Sequence, residues 1–418
     1  MNQHHENSPI VIVGASLAGV NAAETLRAQG YEGKLILLSQ EKAAPYDRPP
    51  LSKEVLSDSA PLEKLSLRGR DFYDEQRIDL RLGVAAVAID TAGKQLTLSD
   101  GSRLVYGKLL LATGSRVRQI ERFSYGDARV HYLRDLDDAL RLREEMAGLA
   151  GEGRMLVVGA GIIGLEVAAA AARMDLKVTV IELGVRPLAR AASPALAGFL
   201  AQAHARHGVD IRCGVRIAEA QAVADGYEVH LSDGTRLHAD LVVVGAGVVP
   251  NSELARDAGI ETAPEGILVD GRGRTSVADV YAAGEVAFHY NELHGAQRRE
   301  ETWQHAVSHG NHVARCMLGA NEDYAEPMSY WTDQYDYSVL VFGNPLGARD
   351  VIRGEAGSGR FIVFHLDESG GLCGLTAVNS ARDMRKCKPL VMAHACVPDH
   401  VLQDTEIDLG RYAAAANA

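Results

Sequence analysis

Two glycine-rich turns about 145 residues apart constrain this chain more than any other feature it has. The first, Gly14-Ala15-Ser16-Leu17-Ala18-Gly19, follows the apolar run Ile10–Val13; the second, Gly159-Ala160-Gly161-Ile162-Ile163-Gly164, follows Met155–Val158. Each leads into an Ala-rich helical stretch, the strand–turn–helix context that a dinucleotide pyrophosphate requires. Small residues let the backbone come close, and the helix N-terminus offers free N–H groups and a partial positive charge. One such turn closes many βα units that hold no ligand. Two in one chain imply two dinucleotides, and therefore electron transfer between them.

A chain of 418 residues has room for two or three domains. Hydrophobic content of 47% with 23% charged residues is that of an ordinary soluble globular protein. No apolar run reaches the roughly 18 residues of a membrane span, and Met1–Ser8 is polar, without a signal-peptide core. The cysteines Cys213, Cys316, Cys373, Cys387 and Cys396 are scattered and odd in number, which fits a reducing cytoplasm. A net charge of −12 argues against nucleic-acid binding while leaving room for a local basic patch.

Strand and helix signals alternate from Pro9 to Gly114, with strands at Ile10–Val13 and Lys34–Leu38 and a helix over Val20–Gly30 between them. Val87–Ser99 and Leu104–Tyr106 flank Asp100-Gly101, a hairpin signal, and Leu109–Leu111 runs into Ala112-Thr113-Gly114. A second βαβ series starts near Met155 and carries its own hairpin, Tyr227–Leu231, Asp233-Gly234, Leu237–Val244. The chain then returns to the first domain near Val248–Asn251, with a strand at Val280–Gly284 and a helix at Thr302–Leu318. Beyond Tyr324, strands at Ser338–Phe342, Phe361–Leu366 and Leu372–Val378 precede helical segments at His394–Val397 and from Asp399, ending in a frayed tail Ala413–Ala418. The fold class expected is α/β: two Rossmann-like domains, the second inserted in the first, plus a C-terminal α+β domain. The boundaries are 1–115 with 249–325, then 116–248, then 326–418.

In the second unit the strand Val178–Ile181 ends at Glu182, 23 residues after Gly159. That is the spacing at which an acid meets the adenosine ribose hydroxyls, and its charge would repel a 2′-phosphate, favouring NADH over NADPH. In the first unit Ser16 replaces the middle glycine, and either Gln40 or Glu41 supplies the ribose contact. His305, His309 and His312 share one helical face but are joined by no carboxylate or cysteine motif; they read as polar helix surface, with no metal expected.

The run Pro45-Tyr46-Asp47-Arg48-Pro49-Pro50-Leu51-Ser52-Lys53, with both glycine turns, Ala112-Thr113-Gly114 and Ala282-Ala283-Gly284-Glu285, resembles the FAD-dependent ferredoxin reductases. That family includes putidaredoxin reductase, rubredoxin reductase and the reductase components of ring-hydroxylating dioxygenases. The similarity spans roughly Pro9 to Leu409. It implies an enzyme that takes a hydride from NADH onto FAD and passes single electrons to a 2Fe–2S ferredoxin serving a haem monooxygenase or a ring-hydroxylating dioxygenase. It also implies Lys53 beside the flavin N5 and Glu166 at the nicotinamide edge, paired with that lysine. Arg48 and Arg134 match positions contacting FAD phosphate or adenine, Ala86 one whose backbone meets the adenine, and Arg190 one near the NADH ribose. Gly247 lies in the turn that returns to the FAD domain, and Glu285 stands where the family more often has an aspartate on the ribityl chain. Trp303 matches the segment under the flavin pyrimidine, and Trp331 the strand facing the ferredoxin. Arg298 and Arg299, with Arg382, Arg385, Lys386 and Lys388, match basic positions turned to an acidic ferredoxin. A rubredoxin reductase or an NADH oxidase is the alternative activity, and a redox signalling protein resembling the apoptosis-inducing factors a more distant one. No cysteine precedes Cys213, so the thiolate-at-flavin chemistry of the related disulfide reductases, which takes cysteines just after the first βα unit, has no candidate residue there.

Overall fold

The structure, a computed structural model, describes residues 9–57, 61–69 and 71–416, the side chains of 413–416 excepted. Met1–Ser8 and the last two residues of the Ala-rich tail lie outside the described residues, and the tail before them ends the helix Leu409–Ala416. The described residues form two compact units: those of Met1–Arg48, Pro61–Arg116 and Val248–Met328, and those of Pro49–Ala60, Val117–Gly247 and Ser329–Ala418.

The first unit is built on five parallel strands in the order Val280–Ala282, Lys108–Leu111, Ile10–Val13, Leu35–Leu38, Ile78–Arg81. Its inner strands Ile10–Val13 and Leu35–Leu38 are apolar at every position because both faces are covered. Helices Leu17–Ala28 and Trp303–Met317 bury Val20, Leu26, Val313 and Met317 against Ile12 and Leu37 on one face. These helices approach closely because position 310 is glycine: a Cβ there would lie 2.4 Å from the Ala18 carbonyl oxygen. The other face is covered by a meander, Ala86–Asp90, Gln95–Leu98 and Arg103–Val105. The run Val87–Ser99, expected as one strand, is therefore two; it reverses at residues 91–94, where Lys94 takes a left-handed φ of 48°. A four-stranded sheet of Thr262–Ala263, Gly266–Val269, Ala287–Asn291 and Ala296–Arg298 was not expected from the sequence.

The second unit repeats the layout. Its parallel strands run Asp210–Cys213, Lys177–Glu182, Arg154–Val158, Leu241–Val244, Val130–Tyr132, with the helix Ile162–Arg173 following the second glycine turn. A meander of Ile217–Val223, Gly226–Leu231 and Arg236–Ala239 packs on it. Leu237–Val244, expected as one strand, is cut at Asp240, whose carboxylate accepts the Arg154 backbone N–H at 2.7 Å and its guanidinium at 2.9 Å. The C-terminal residues of this unit form a five-stranded antiparallel sheet ordered Ser329–Gln334, Tyr337–Gly343, Leu372–Val378, Arg360–Leu366, Arg349–Glu355. The helix Ala381–Met392 covers it, burying Met384, Cys387, Leu390 and Val391 at helical spacing. The sequence reading missed this helix behind its basic residues and Pro389. His394–Val397 is not helical, and His394 has a left-handed φ of 48°; the terminal helices are Asp399–Gln403 and Leu409–Ala416. The α/β class, with two Rossmann-like layouts and a C-terminal α+β domain, is as expected.

Candidate functional site

Both glycine turns sit at the C-terminal ends of the middle strands of their sheets, where α/β folds bind ligands. Gly14 (φ 115°) and Gly159 (φ 105°) adopt conformations that L side chains rarely take, and a Cβ would lie 2.1 Å from the Ala112 oxygen and 2.5 Å from the Gly245 oxygen respectively. The last glycines, Gly19 and Gly164, press on the carbonyls of Gly14 and Gly159, so they serve the packing of helix on strand. The middle positions differ. Gly161 has an ordinary φ of −78° and open space where a Cβ would stand, so its smallness serves nothing in the protein itself and fits a pyrophosphate lying against the backbone. Ser16, at φ −95°, is equally unstrained, which is why a serine is accepted there. Leu17 and Ala18 open the first helix, and Ile163, 45% exposed, stands in the first turn of the second.

In the first unit, Glu41 forms an ion pair with Arg48 and accepts the Tyr46 hydroxyl at 2.6 Å, while Gln40 is exposed. The guanidinium of Arg48 also reaches to 3.4 Å from the Ser16 hydroxyl. Trp303 donates its indole N–H to Asp47 at 2.7 Å, which anchors the start of its helix to the Pro-rich run. Ala112-Thr113-Gly114 is fixed by reciprocal bonds with Asn251: Thr113 donates to its carbonyl at 2.8 Å and Asn251 donates back at 2.9 Å. Gly284 and the half-buried Glu285 form a 3-10 turn, and Ala86 lies at the start of its meander strand.

The histidine helix corrects the sequence reading. His305, His309 and His312 are buried rather than surface groups. His305 and His309 meet His289, their ring centroids 4.7–4.8 Å apart and one ligand nitrogen of each within 4.8 Å of the others. The Gly284 N–H donates to His309 Nδ1 at 3.1 Å, which in a neutral ring places the proton on Nε2 and leaves no lone pair there for a cation. His312 instead faces the Gly271 carbonyl at 2.9 Å.

In the second unit, Glu182 is fastened to its own turn, accepting the Ala160 N–H at 2.8 Å and the Gly184 N–H at 2.7 Å. Leu183 and Val185 beside it are 73% and 90% exposed. Arg190 is exposed and reaches toward Gly247. Arg134 precedes the helix Leu136–Gly148, its backbone N–H bonded to Asp138.

The same unit contains the pair Lys53–Glu166, with Nζ and Oε1 3.5 Å apart. Glu166 projects from the helix Ile162–Arg173 just past its first turn and is 4% exposed. Burial pushes its carboxyl up; the Lys53 ammonium first, then the Ser52 and Thr332 hydroxyls, pull it back. Ser52 donates to Oε2, and Thr332 to Oε1 at 2.7 Å. Lys53 also lies 3.8 Å from the Asp333 carboxylate and 5.7 Å from the centre of the Trp331 ring. A cation is thus held between two carboxylates and an aromatic face. Ser52 and Thr332 were missed as site residues, although Ser52 lies inside the run Pro45–Lys53 that carried the resemblance and Thr332 follows Trp331.

Of the basic residues singled out, Arg298 and Arg299 face Glu300 and Glu301. Arg382, Arg385 and Lys386 are exposed along one helix, with Lys386 3.5 Å from Asp408, and Lys388 lies over the Phe342 ring at 4.6 Å. Among the described residues no helix is long and apolar enough to cross a membrane.

The family model described as pyridine nucleotide-disulphide oxidoreductase matches residues 8–310, and that of the reductase C-terminal domain residues 329–413. The chain is 39% identical over 402 residues to the ferredoxin–NAD(+) reductase component of the anthranilate 1,2-dioxygenase system of Burkholderia cepacia, covering 96% of this chain and 98% of that protein. Its fold is similar to the ferredoxin reductase for the CYP199A2 system from Rhodopseudomonas palustris (TM-score 0.93, 36% identity, 97% and 100% of the two chains). It is likewise similar to the reductase of the covalent putidaredoxin reductase–putidaredoxin complex (TM-score 0.93, 34% identity, 99% of each chain). The two glycine turns and the match over most of the chain make one statement: the protein belongs to the pyridine nucleotide-disulphide oxidoreductase family, in the branch that carries a reductase C-terminal domain.

Proposed function

We propose that this chain is an NADH-dependent, FAD-containing ferredoxin reductase that supplies an oxygenase system. The observation that carries the reading is the doubled strand–turn–helix, with open space at Gly161 in the second turn, in a chain with no cysteine before Cys213 to take electrons from a flavin. FAD belongs to the turn Gly14–Gly19, with Glu41 or Gln40, Arg48, Ala86, Thr113, Arg134, Gly284, Glu285 and Trp303 as its contacts. NADH belongs to the turn Gly159–Gly164, with Glu182 on the ribose and Arg190 and Gly247 nearby. The domains are 1–115 with 249–325 for FAD, 116–248 for NADH and 326–418 facing the ferredoxin.

When bound, FAD supplies the conversion of a hydride's electron pair into single electrons. The chain's own residues do the rest. Glu166 anchors Lys53, and the ammonium presents a fixed positive charge toward the ring that gains negative charge on reduction. Burial of the pair strengthens that field relative to water. Glu182 orients the ribose and repels a 2′-phosphate. The exposed cations Arg382, Arg385 and Lys386, with Lys388 and Trp331, are docking residues of the second unit for an acidic 2Fe–2S protein, and Arg298 and Arg299 are those of the first.

Stopped-flow oxidation of the NADH-reduced enzyme by a purified 2Fe–2S ferredoxin, by rubredoxin and by oxygen tests the reading. Fast transfer to the 2Fe–2S protein is expected. Fast oxidation by oxygen alone would overturn it.

A further inference from the structure

A buried file of hydrogen bonds runs from the C-terminal sheet to Glu166, all within the second unit. A carboxylate can only accept, so the Thr332 hydroxyl donates to Glu166 Oε1 at 2.7 Å. Thr332 Oγ1 in turn accepts the Gln334 amide N–H at 3.1 Å. Gln334 Oε1 faces His204 Nε2 at 2.9 Å, which makes Nε2 the protonated ring nitrogen. His204 Nδ1 is then left with a lone pair for the Tyr335 hydroxyl at 2.9 Å. Burial lowers the His204 pKa to about 4, consistent with a neutral ring bearing one N–H. Every donor therefore points toward the carboxylate. All five residues are buried, Tyr335 most lightly at 8% exposure. Bonds aligned in this way polarise one another, and the last acceptor gains from each.

We propose that Thr332, Gln334, His204 and Tyr335 are positioning residues that hold Glu166 in its charged form, so that the C-terminal sheet sets the charge opposite Lys53. Four other groups face the file. Ser52 donates to Glu166 from the lysine's own segment, and Asp333 stands 3.8 Å from the Lys53 ammonium. His207 stacks on the Tyr335 ring at a centroid distance of 3.7 Å, and Arg173 donates to the Tyr335 carbonyl. Removing the Thr332 hydroxyl leaves Ser52 and Lys53 alone against the burial of the carboxyl. Its protonation then moves to higher pH. The value of this arrangement for electron transfer rests on the reductase reading, but the hydrogen-bond file itself does not.

An infrared pH titration of the FAD-loaded protein tests it, with the protonated-carboxyl band of Glu166 identified by its absence in Glu166→Gln. Thr332→Val should raise the protonation midpoint by about one pH unit, a tenfold change in the proton affinity of the carboxyl. Tyr335→Phe, which removes only the far donor, should shift it the same way by less, and Thr332→Ser should restore the original midpoint. Unmoved midpoints in both Thr332→Val and Tyr335→Phe overturn the proposal. Should Thr332→Val fail to fold, Tyr335→Phe decides alone. Stopped-flow reduction by NADH over the same pH series should follow the infrared midpoint. A protein that titrates as expected yet is not reduced by NADH would sink the reductase reading and leave the file standing; normal reduction with unmoved midpoints would do the reverse.

Discussion

At the scale of single residues, the proposed reading gives Glu182 the coenzyme preference, and the same carboxylate closes its own turn through the Ala160 and Gly184 N–H groups. Changing its charge therefore needs a partner change that does not disturb the turn, and the exposed Val185 offers one. The double variant Glu182→Ser with Val185→Arg should raise the ratio of kcat/KM for NADPH over NADH about tenfold, near 1.4 kcal/mol in transition-state binding. Steady-state kinetics with both coenzymes checks it. Glu300 gives a second residue-scale outcome. It is 4% exposed, and burial pushes its carboxyl up to about 7, with Arg298 opposing. A carboxyl whose folded pKa is raised binds its proton more tightly in the native state, so stability is highest below the unfolded value near 4.5 and falls as pH rises toward 7. Glu300→Gln should match the wild type in melting temperature at pH 4.5 and exceed it by about 2–4 °C at pH 8. The pairing of Lys53 with Glu166 was legible because the family resemblance gives each a fixed place in the sequence. Thr332 was not, because only a strand pairing and a burial pattern show that its hydroxyl meets a helix 166 residues away in sequence.

At the scale of elements, the second turn separates two uses of glycine. Gly159→Ala puts a Cβ 2.5 Å from a backbone oxygen at a left-handed φ, and should cost about 3 kcal/mol of stability in chemical denaturation. Gly161→Ala meets nothing within 4 Å and should cost less than about 1 kcal/mol, yet raise the Kd for NADH at least tenfold by crowding the pyrophosphate. Isothermal titration alongside denaturation distinguishes them, and equal losses in both properties for both variants would contradict this division. The sequence made both βαβ series legible, since runs such as Ile10–Val13 and Leu35–Leu38 are apolar throughout and bounded by turn residues. It was poorer for Ala381–Met392. There Pro389 and four cations hide an apolar stripe that only the sheet beneath makes necessary. It was poorer again for the histidine face, whose polar residue type suggested solvent although His289 packs on it from the strand Ala287–Asn291.

At the scale of the whole molecule, an acidic chain of net charge −12 displays exposed cations on one helix, with Arg382, Arg385, Lys386 and Lys388 against Asp383 leaving a local charge of +3. On the proposed docking reading, long-range repulsion and local attraction act on an acidic ferredoxin together. Electron transfer to it should slow as salt rises from low ionic strength, because screening weakens the local field. Reversing Arg382 and Arg385 to Glu should lower kcat/KM for the ferredoxin about tenfold and flatten that salt dependence, as stopped-flow rates at several ionic strengths would show. The chain crosses between its two compact units five times, at residues 48–49, 60–61, 116–117, 247–248 and 328–329. Neither unit is contiguous, so no single cut separates them. The hydroxyl that caps Glu166 has a further consequence for biosynthesis. Thr332 is synthesised 166 residues after Glu166. A nascent chain therefore carries an unfinished charge pair until the last sheet has been made, and a truncated product lacking that sheet would be born without the group that completes it.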